Sequence, residues 1–407
     1  MNGTTLLLSV VLGALVLTWA GIFAYVVVTR AIYDIQKRVV DAARRTARRR
    51  IARAARAGSE VEVDRILRRL RVATLLGAAA DTSTRPPVAR VFSRHLLRRA
   101  EPQIRALLEA RSRERTRWQR VAALRVAALG GLPDAAGLLQ DAIRSSDDEV
   151  TSAAIRILGE LATPQAQRVL VETLRDGAFA RSRIAAQLDG CAQLSVDALQ
   201  PLLEDAKPIV RYWGVKLLAQ AAVNPVASDA LVAAAADEDA SVRAGAAESL
   251  GRDRSERATQ TLAFHLVDSS AAVRLHAARS LGRRGTIVAA EQVASLLRDR
   301  DWWVRTAAKR ALENLGVAAA PAVAPLLQAN DEFARNGAAE VLQNLGVVRT
   351  LVDRVAALTK GSRDGQAAAA ELAPIFAAGG PRFALLALEH LDQDAGLRAR
   401  EVMKGAS

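Results

Sequence analysis

Four Asp and four Arg residues stand in pairs at one spacing: Asp205 and Arg211, Asp237 and Arg243, Asp268 and Arg274, Asp299 and Arg305. In each pair the acid precedes the base by six residues, and a Leu follows the base by seven, at Leu218, Leu250, Leu281 and Leu312. The chemistry open to such pairs is electrostatic. A planar guanidinium grips a carboxylate through two parallel hydrogen bonds, so the pairs read either as a structural ladder or as a row of arginines lining a groove for an anionic ligand. An acid accompanying every Arg neutralises the row, which favours the ladder, because a groove for anions has no need of it.

Residues for other chemistry are few. The four His (His95, His265, His276, His390) are dispersed, and none has a second ligand at metal-binding spacing. His265 and His276 fall in the two helices of one sequence unit, where they can approach each other, yet no acid or thiol supports them. Cys191 is a lone thiol in an apolar setting, expected to be buried and inert. No phosphate-binding glycine loop, serine-hydrolase elbow, HExxH or CxxC occurs. The sequence therefore names no catalytic, cofactor-binding or metal-binding residue, and the expectation is a protein that is not an enzyme.

The elements that hold the Asp and Arg pairs recur. The segments beginning at Asp205, Asp237, Asp268 and Asp299 start 32, 31 and 31 residues apart. A fixed period near 31 in an Ala- and Leu-rich background predicts stacked helical pairs. Less regular copies extend the array: one from Asp176 carries Ser182 where the Arg is expected, and one from Asp331 carries Arg335 and Leu342. Eight or nine units are expected between residues 103 and 380, followed by a capping helix over residues 381–407. Within one unit, Leu231, Val232 and Ala235 of the first helix point to the core, and a second helix begins near Ser241. Gly251 is expected to end that helix in the left-handed conformation. No sustained strand alternation appears beyond the first thirty residues.

This D…VR…A…LG consensus resembles HEAT-like repeats of the type also found in phycobilisome lyases, over roughly two thirds of the chain. The resemblance implies an all-α fold, an α-solenoid, and a ladder role for the four Asp and Arg pairs, each Arg bonding the acid of its own or the adjacent turn. It does not carry lyase activity over, since no active residue is matched.

Residues 4–29 hold no charge, enough at about 1.5 Å per residue to cross a hydrocarbon core of roughly 30 Å. They read as a transmembrane helix preceding the solenoid; a cleaved signal peptide fits less well, because the start lacks basic residues and no small-x-small site follows. Residues 30–57 form a basic amphipathic segment in which Arg44, Arg45, Arg48, Arg49, Arg50, Arg53 and Arg56 are candidate contacts for anionic lipid. Between residues 30 and 120 there are 25 basic and 9 acidic residues, so the chain's net charge of +14 is concentrated there and the repeats are close to neutral. Positive residues stay on the cytoplasmic side, which predicts an outside amino terminus and a cytoplasmic solenoid at the plasma (inner) membrane. Two other readings of the basic segment are a topology signal alone and nucleic-acid binding, the latter disfavoured because no aromatics interleave the arginines. Residues 58–113 read as a helical cap or degenerate first repeat, with helices over 61–80 and 88–113 separated by a breaker at 81–87.

Trp302 and Trp303 stand where the other copies have small residues, and Tyr212 and Trp213 follow Val210 and Arg211. Such pairs are either core filling or exposed anchors for a partner protein. The expected function is a membrane-anchored cytoplasmic scaffold or adaptor without cofactor, holding a partner at a membrane complex. The bias of 51 Arg to 6 Lys fits a GC-rich bacterial genome, where similar anchored repeat proteins accompany membrane glycosyltransferases. The alternatives are a bilin lyase-type enzyme and a DNA-repair-type enzyme; the latter wants a basic, aromatic-lined groove that near-neutral repeats do not supply.

Overall fold

The computed structural model describes residues 86–109, 117–191, 194, 196–219, 225–357 and 363–389, with scattered positions before residue 77 and at 391, 396 and 397. The expected membrane span (4–29) and basic segment (30–57) lie largely outside the described residues. Among the described residues no helix is long and apolar enough to cross a membrane, and no strand occurs.

The chain divides into two compact units, residues 1–170 and 171–407. The first holds α1 (Pro86–Glu109), α2 (Arg117–Gly130), α3 (Ala135–Ile143), α4 (Asp148–Leu161) and the start of α5 (Pro164–Asp176). There α1 packs on α2, α2 on α4, and α3 on α4. The helix expected over 88–113 is broken at Ala100 (φ −133°), just before Pro102, and its expected end, 110–113, lies outside the described residues. A proline ring inside a helix clashes with the carbonyl four residues back and donates no amide, which accounts for the break.

The second unit continues with α6 (Arg181–Asp189), α7 (Val196–Leu203), α8 (Pro208–Leu218), α9 (Pro225–Ala234), α10 (Ala240–Leu250), α11 (Glu256–Phe264) and α12 (Ala271–Arg284). Then come α13 (Ala290–Ser295), α14 (Trp302–Leu315), α15 (Ala320–Val323), α16 (Glu332–Asn344), α17 (Val347–Ala357) and α18 (Arg363–Leu388). Second helices of successive repeats lie side by side, α8 on α10, α10 on α12, α12 on α14 and α14 on α16, and the short first helices cover one flank. This is the stacking of an α-solenoid. Leu218, Leu250, Leu281 and Leu312, the residues seven beyond each Arg, are all buried in the core so formed. Near the end, α18 bends at Gly380 (φ 77°), immediately before the segment expected to cap the array.

Local signals set the helix starts. Asp239 caps α10 by accepting from the amides of Ser241 and Val242, and Asp301 caps α14 through those of Trp303 and Val304. The expectation for Gly251 is corrected: its φ of −60° is right-handed. A Cβ there would come within 2.7 Å of the Ser280 Oγ, so closeness between neighbouring helices is what demands glycine. Gly282 shows the same constraint more severely, since a Cβ would lie 2.5 Å from the Ala311 Cα. Helices α12 and α14 approach too closely there for any side chain. Gly282→Ala is therefore expected to lower stability by about 1–3 kcal/mol, read from the urea unfolding midpoint; an unchanged midpoint would show that the two helices separate freely.

Candidate functional site

Each repeat arginine is the fourth residue of its second helix: Arg211 in α8, Arg243 in α10, Arg274 in α12, Arg305 in α14. Helical side chains lean toward the amino terminus, so these guanidinium groups fold back over their own inter-helix turn. Arg243 Nη1 donates to the carbonyls of Asp237 and Glu238 at 2.9 and 3.0 Å. Its other edge reaches forward: Nε and Nη2 donate to the two carboxylate oxygens of Asp268 in the next repeat, at 2.8 and 3.0 Å. Arg211 holds Asp237 in this way at 2.8 and 2.8 Å, and Arg274 holds Asp299 at 2.6 and 2.8 Å. The acid six residues before each Arg thus supplies its backbone carbonyl, and the carboxylate comes from the following unit. Each carboxylate also accepts the amide two residues on, from Lys207, Asp239, Ser270 or Asp301. Asp205, with Ser182 at the preceding Arg position, is met instead by Arg175 Nε from α5 at 3.0 Å.

The rungs are well shielded, most of all Arg274 and Asp299, whose side chains are 8% and 7% exposed. Burial alone pushes the carboxyls of Asp237, Asp268 and Asp299 up, but the arginine and amide hydrogen bonds outweigh it and hold all three below the ordinary carboxylate range. Asp205 is lowered chiefly by the Lys207 amide. Arg211 is raised by its bond to Asp237. A recess of about 430 Å³ between α7, α8 and α9 has Arg211 and Asp237 in its lining. Since the two groups already satisfy each other, an anion entering there would have to displace the carboxylate.

Arg305 departs from the expected pattern. Its Nη1 takes the carbonyls of Asp299 and Arg300 at 2.8 and 3.2 Å, as in the other rungs. Among the described residues no carboxylate meets its other edge: the residue six before Arg335 is Ala329. The guanidinium carbon instead lies over the ring of Phe333, 4.4 Å from its centroid.

The aromatic pairs divide. Tyr212 and Trp213 are half-buried, and the Tyr212 ring lies against Gly245 of the next repeat, where a Cβ would approach to 3.2 Å; Tyr212 fills an inter-repeat gap. Trp302 and Trp303 are 56% and 60% exposed, their rings edge to face with centroids 4.6 Å apart. Phe333, 62% exposed, was not singled out in the sequence. The signal was its register, since Trp303 and Phe333 are each the second residue of a helix and each precede an Arg by two.

The histidines do not form a pair. His265 is buried with its ring nitrogens at 2.7 and 2.6 Å from the carbonyls of Thr261 and Ala235, and His276 lies 3.8 Å from a Glu248 oxygen. Cys191 is buried, with its thiol pushed up by burial and donating to the Gln187 carbonyl. Among the described residues no cluster fit to hold a metal occurs. Of the basic segment, Arg49 and Arg53 are helical and exposed; Arg44, Arg45, Arg48, Arg50 and Arg56 lie outside the described residues.

The family profile for HEAT repeats matches residues 104–189, 196–270, 228–313 and 263–343, more than half of the chain. No curated protein matches. Among solved structures, an engineered protein is 20% identical, covering 82% of this chain and 98% of that one, at a TM-score of 0.33. The complex of CpcE and CpcF of phycocyanin lyase from Nostoc sp. PCC7120 is 23% identical over 53% of this chain and 96% of that one, at a TM-score of 0.32. Kap121p is 13% identical over 88% of this chain, which spans 49% of its length, at a TM-score of 0.44. Likenesses of this size carry no conclusion about activity or partner.

Rung shielding sets two expectations. Arg274→Ala, which strands the buried Asp299, should cost roughly 3–5 kcal/mol, whereas Arg175→Ala, at a side chain 45% exposed, should cost no more than about 1 kcal/mol. Equal costs in denaturant titrations would mean that the rungs do not set stability. Carboxyls held below their unfolded value of about 3.9 contribute stability that is full above that pH and lost as pH falls through the lower folded values. Asp268→Asn should therefore flatten the fall of melting temperature below about pH 4; an unchanged acid limb would refute the assignment.

Proposed function

The chain belongs to the HEAT-repeat family, and from that premise we propose that it is a scaffold that holds a partner protein at a membrane. HEAT-repeat solenoids in general serve protein interaction, through extended surfaces assembled from successive repeats. The observation that carries the reading here is the exposure of Trp302, Trp303 and Phe333 on neighbouring repeats, where the two repeats before them carry the small Ser241 and Ala272 at the register of Trp303 and Phe333. Large aromatics left in water at consecutive repeats are the residue types that anchor interfaces. The absence of any nucleophile, base or metal motif in the sequence supports a binding role over an enzymatic one.

Attachment to a membrane is the second part of the proposal. It rests on the uncharged residues 4–29 and the arginine-rich residues that follow, which together favour a single span with the repeats on the cytoplasmic side. A partner that is itself a membrane protein, such as a glycosyltransferase, fits that placement, and the stem arginines fit anionic headgroups.

The test is crosslinking of the full chain in native membranes, followed by mass spectrometry of the carbonate-washed pellet. The chain should remain in the pellet and one partner should be enriched. Trp303→Ala should weaken that partner's binding by roughly 30-fold, the consequence of losing a hot-spot contact of about 2 kcal/mol, with the circular dichroism melt unchanged. Recovery of the chain in the wash would sink the membrane part, and recovery without a specific crosslinked partner would sink the scaffold.

A further inference from the structure

Ala329 occupies a rung position in every respect but its side chain. Its backbone, φ −67° and ψ 148°, matches that of Asp268 (−58°, 148°) and Asp299 (−62°, 141°). All three residues donate their amides to the carbonyl three residues back, those of Leu326, His265 and Leu296, at 3.1, 3.3 and 3.0 Å. The Ala329 carbonyl accepts from Arg335 Nη1 at 2.8 Å, as the Asp299 carbonyl accepts from Arg305 at 2.8 Å. The frame for a fourth carboxylate is complete, and the carboxylate is missing.

On the facing side, Arg305 is held in the pose of its three predecessors by its own turn carbonyls. The Nε and Nη2 edge that in Arg211, Arg243 and Arg274 closes on an Asp has no acid to close on among the described residues. Of the acids nearby in sequence, three are engaged elsewhere, and Glu332 is exposed on the first turn of α16 with no ion pair to Arg305 among the described residues. Asp299 is taken by Arg274, Asp301 caps α14, and Asp331 caps α16 by accepting from the Ala334 amide. Phe333 covers a face of the Arg305 guanidinium, and a planar guanidinium stacked on a ring keeps its in-plane donors available. Trp302 and Trp303 stand exposed on the first turn of the helix that carries Arg305.

We propose that this open rung is a docking site for a protein segment that presents one Asp or Glu carboxylate to Arg305 and an adjacent apolar side chain to Trp302, Trp303 and Phe333. The inference deepens the scaffold reading and rests on it. The occupant's chemistry is dictated by the three filled rungs, in which the same arginine edge selects a side-chain carboxylate bound at two points. A single charge fits better than a phosphate, because one free arginine faces it and the Asp301 and Asp331 carboxylates that cap the adjoining helices add negative charge. Those caps also occupy the helix amides that a phosphate would otherwise use.

The substitution that separates this proposal from a general apolar patch is Ala329→Asp, which places the missing acid within the chain. The full-length protein would be titrated into a fluorescein-labelled peptide of sequence Ala-Leu-Asp-Leu-Ala, with Asn and phosphoserine versions of the central residue as controls, and anisotropy recorded. The Asp peptide should bind at least tenfold more tightly than either control, and both Arg305→Gln and Ala329→Asp should weaken it at least tenfold. Ala329→Asp should also raise the melting temperature, as a self-filled rung, so lost binding cannot be put down to misfolding. Equal binding of Asp and Asn peptides, tighter binding of the phosphoserine peptide, binding undiminished in Ala329→Asp, or no binding of the Asp peptide to the wild type would each overturn the proposal. Membrane crosslinking of Arg305→Gln distinguishes the two readings. A partner retained at wild-type yield places the scaffold's contact elsewhere and overturns the open rung alone, whereas a wild-type chain that yields no partner removes the scaffold reading itself.

Discussion

The forward-reaching hydrogen bonds from Arg211, Arg243 and Arg274 to the next repeat's aspartate are the constraint on which the stacked helices depend. Alanine-rich second helices offer thin, smooth faces, and smooth faces slide. Dispersion and burial hold such helices together without fixing their register. The rung fixes it. One guanidinium ties down two carbonyls at the end of one first helix and the carboxylate at the end of the next, all at 3.2 Å or less in the three complete rungs. Helix ends leave carbonyls without partners, and here they are satisfied by the same cation that joins neighbouring units.

The rungs also account for where charge is and is not available. Because each arginine in the filled rungs is matched by an acid, the repeats carry cations without presenting a cationic surface. In the proposed scaffold, recognition falls to residues that interrupt the repeat. On the second unit these are apolar and aromatic, at the first turns of α14 and α16, where the helix caps hold the backbone and leave the second residue turned outward. A neutral frame with a few large anchors favours selective contact with a protein over salt-dependent contact with a polyanion.

Much of this was legible in the sequence, for identifiable reasons. A period of 31 and the constant distance from Asp to Arg to Leu are one-dimensional facts, and they report helix pairs directly. Which acid each Arg grips is not one-dimensional: with one Asp per unit at the position six before the Arg, own-turn and next-turn pairing leave the same pattern in the chain. The last copy misled for a related reason, because Asp331 stands four residues before Arg335 and draws the eye from Ala329, six before. Gly251 ends its helix as the sequence suggests, but glycine has two uses there, and only the structure tells close packing against Ser280 from a left-handed turn. Trp302 and Trp303 were ambiguous because size says nothing of direction; the first turn of a helix places a side chain inward or outward according to a register set by its neighbours.

The one-way reach of the rungs bears on how the array can change length. Every complete unit brings one acid for the unit before it and one base for the unit after it, so removing or inserting a whole period of about 31 residues leaves the arginine of each remaining complete rung opposite an aspartate. A shift of two or three residues within a unit would misalign every partner at that joint. Growth by duplication of complete units is thus the cheap route to a longer or shorter chain, and however many complete units are inserted before it, the unit that carries Ala329 leaves the arginine ahead of it without an aspartate.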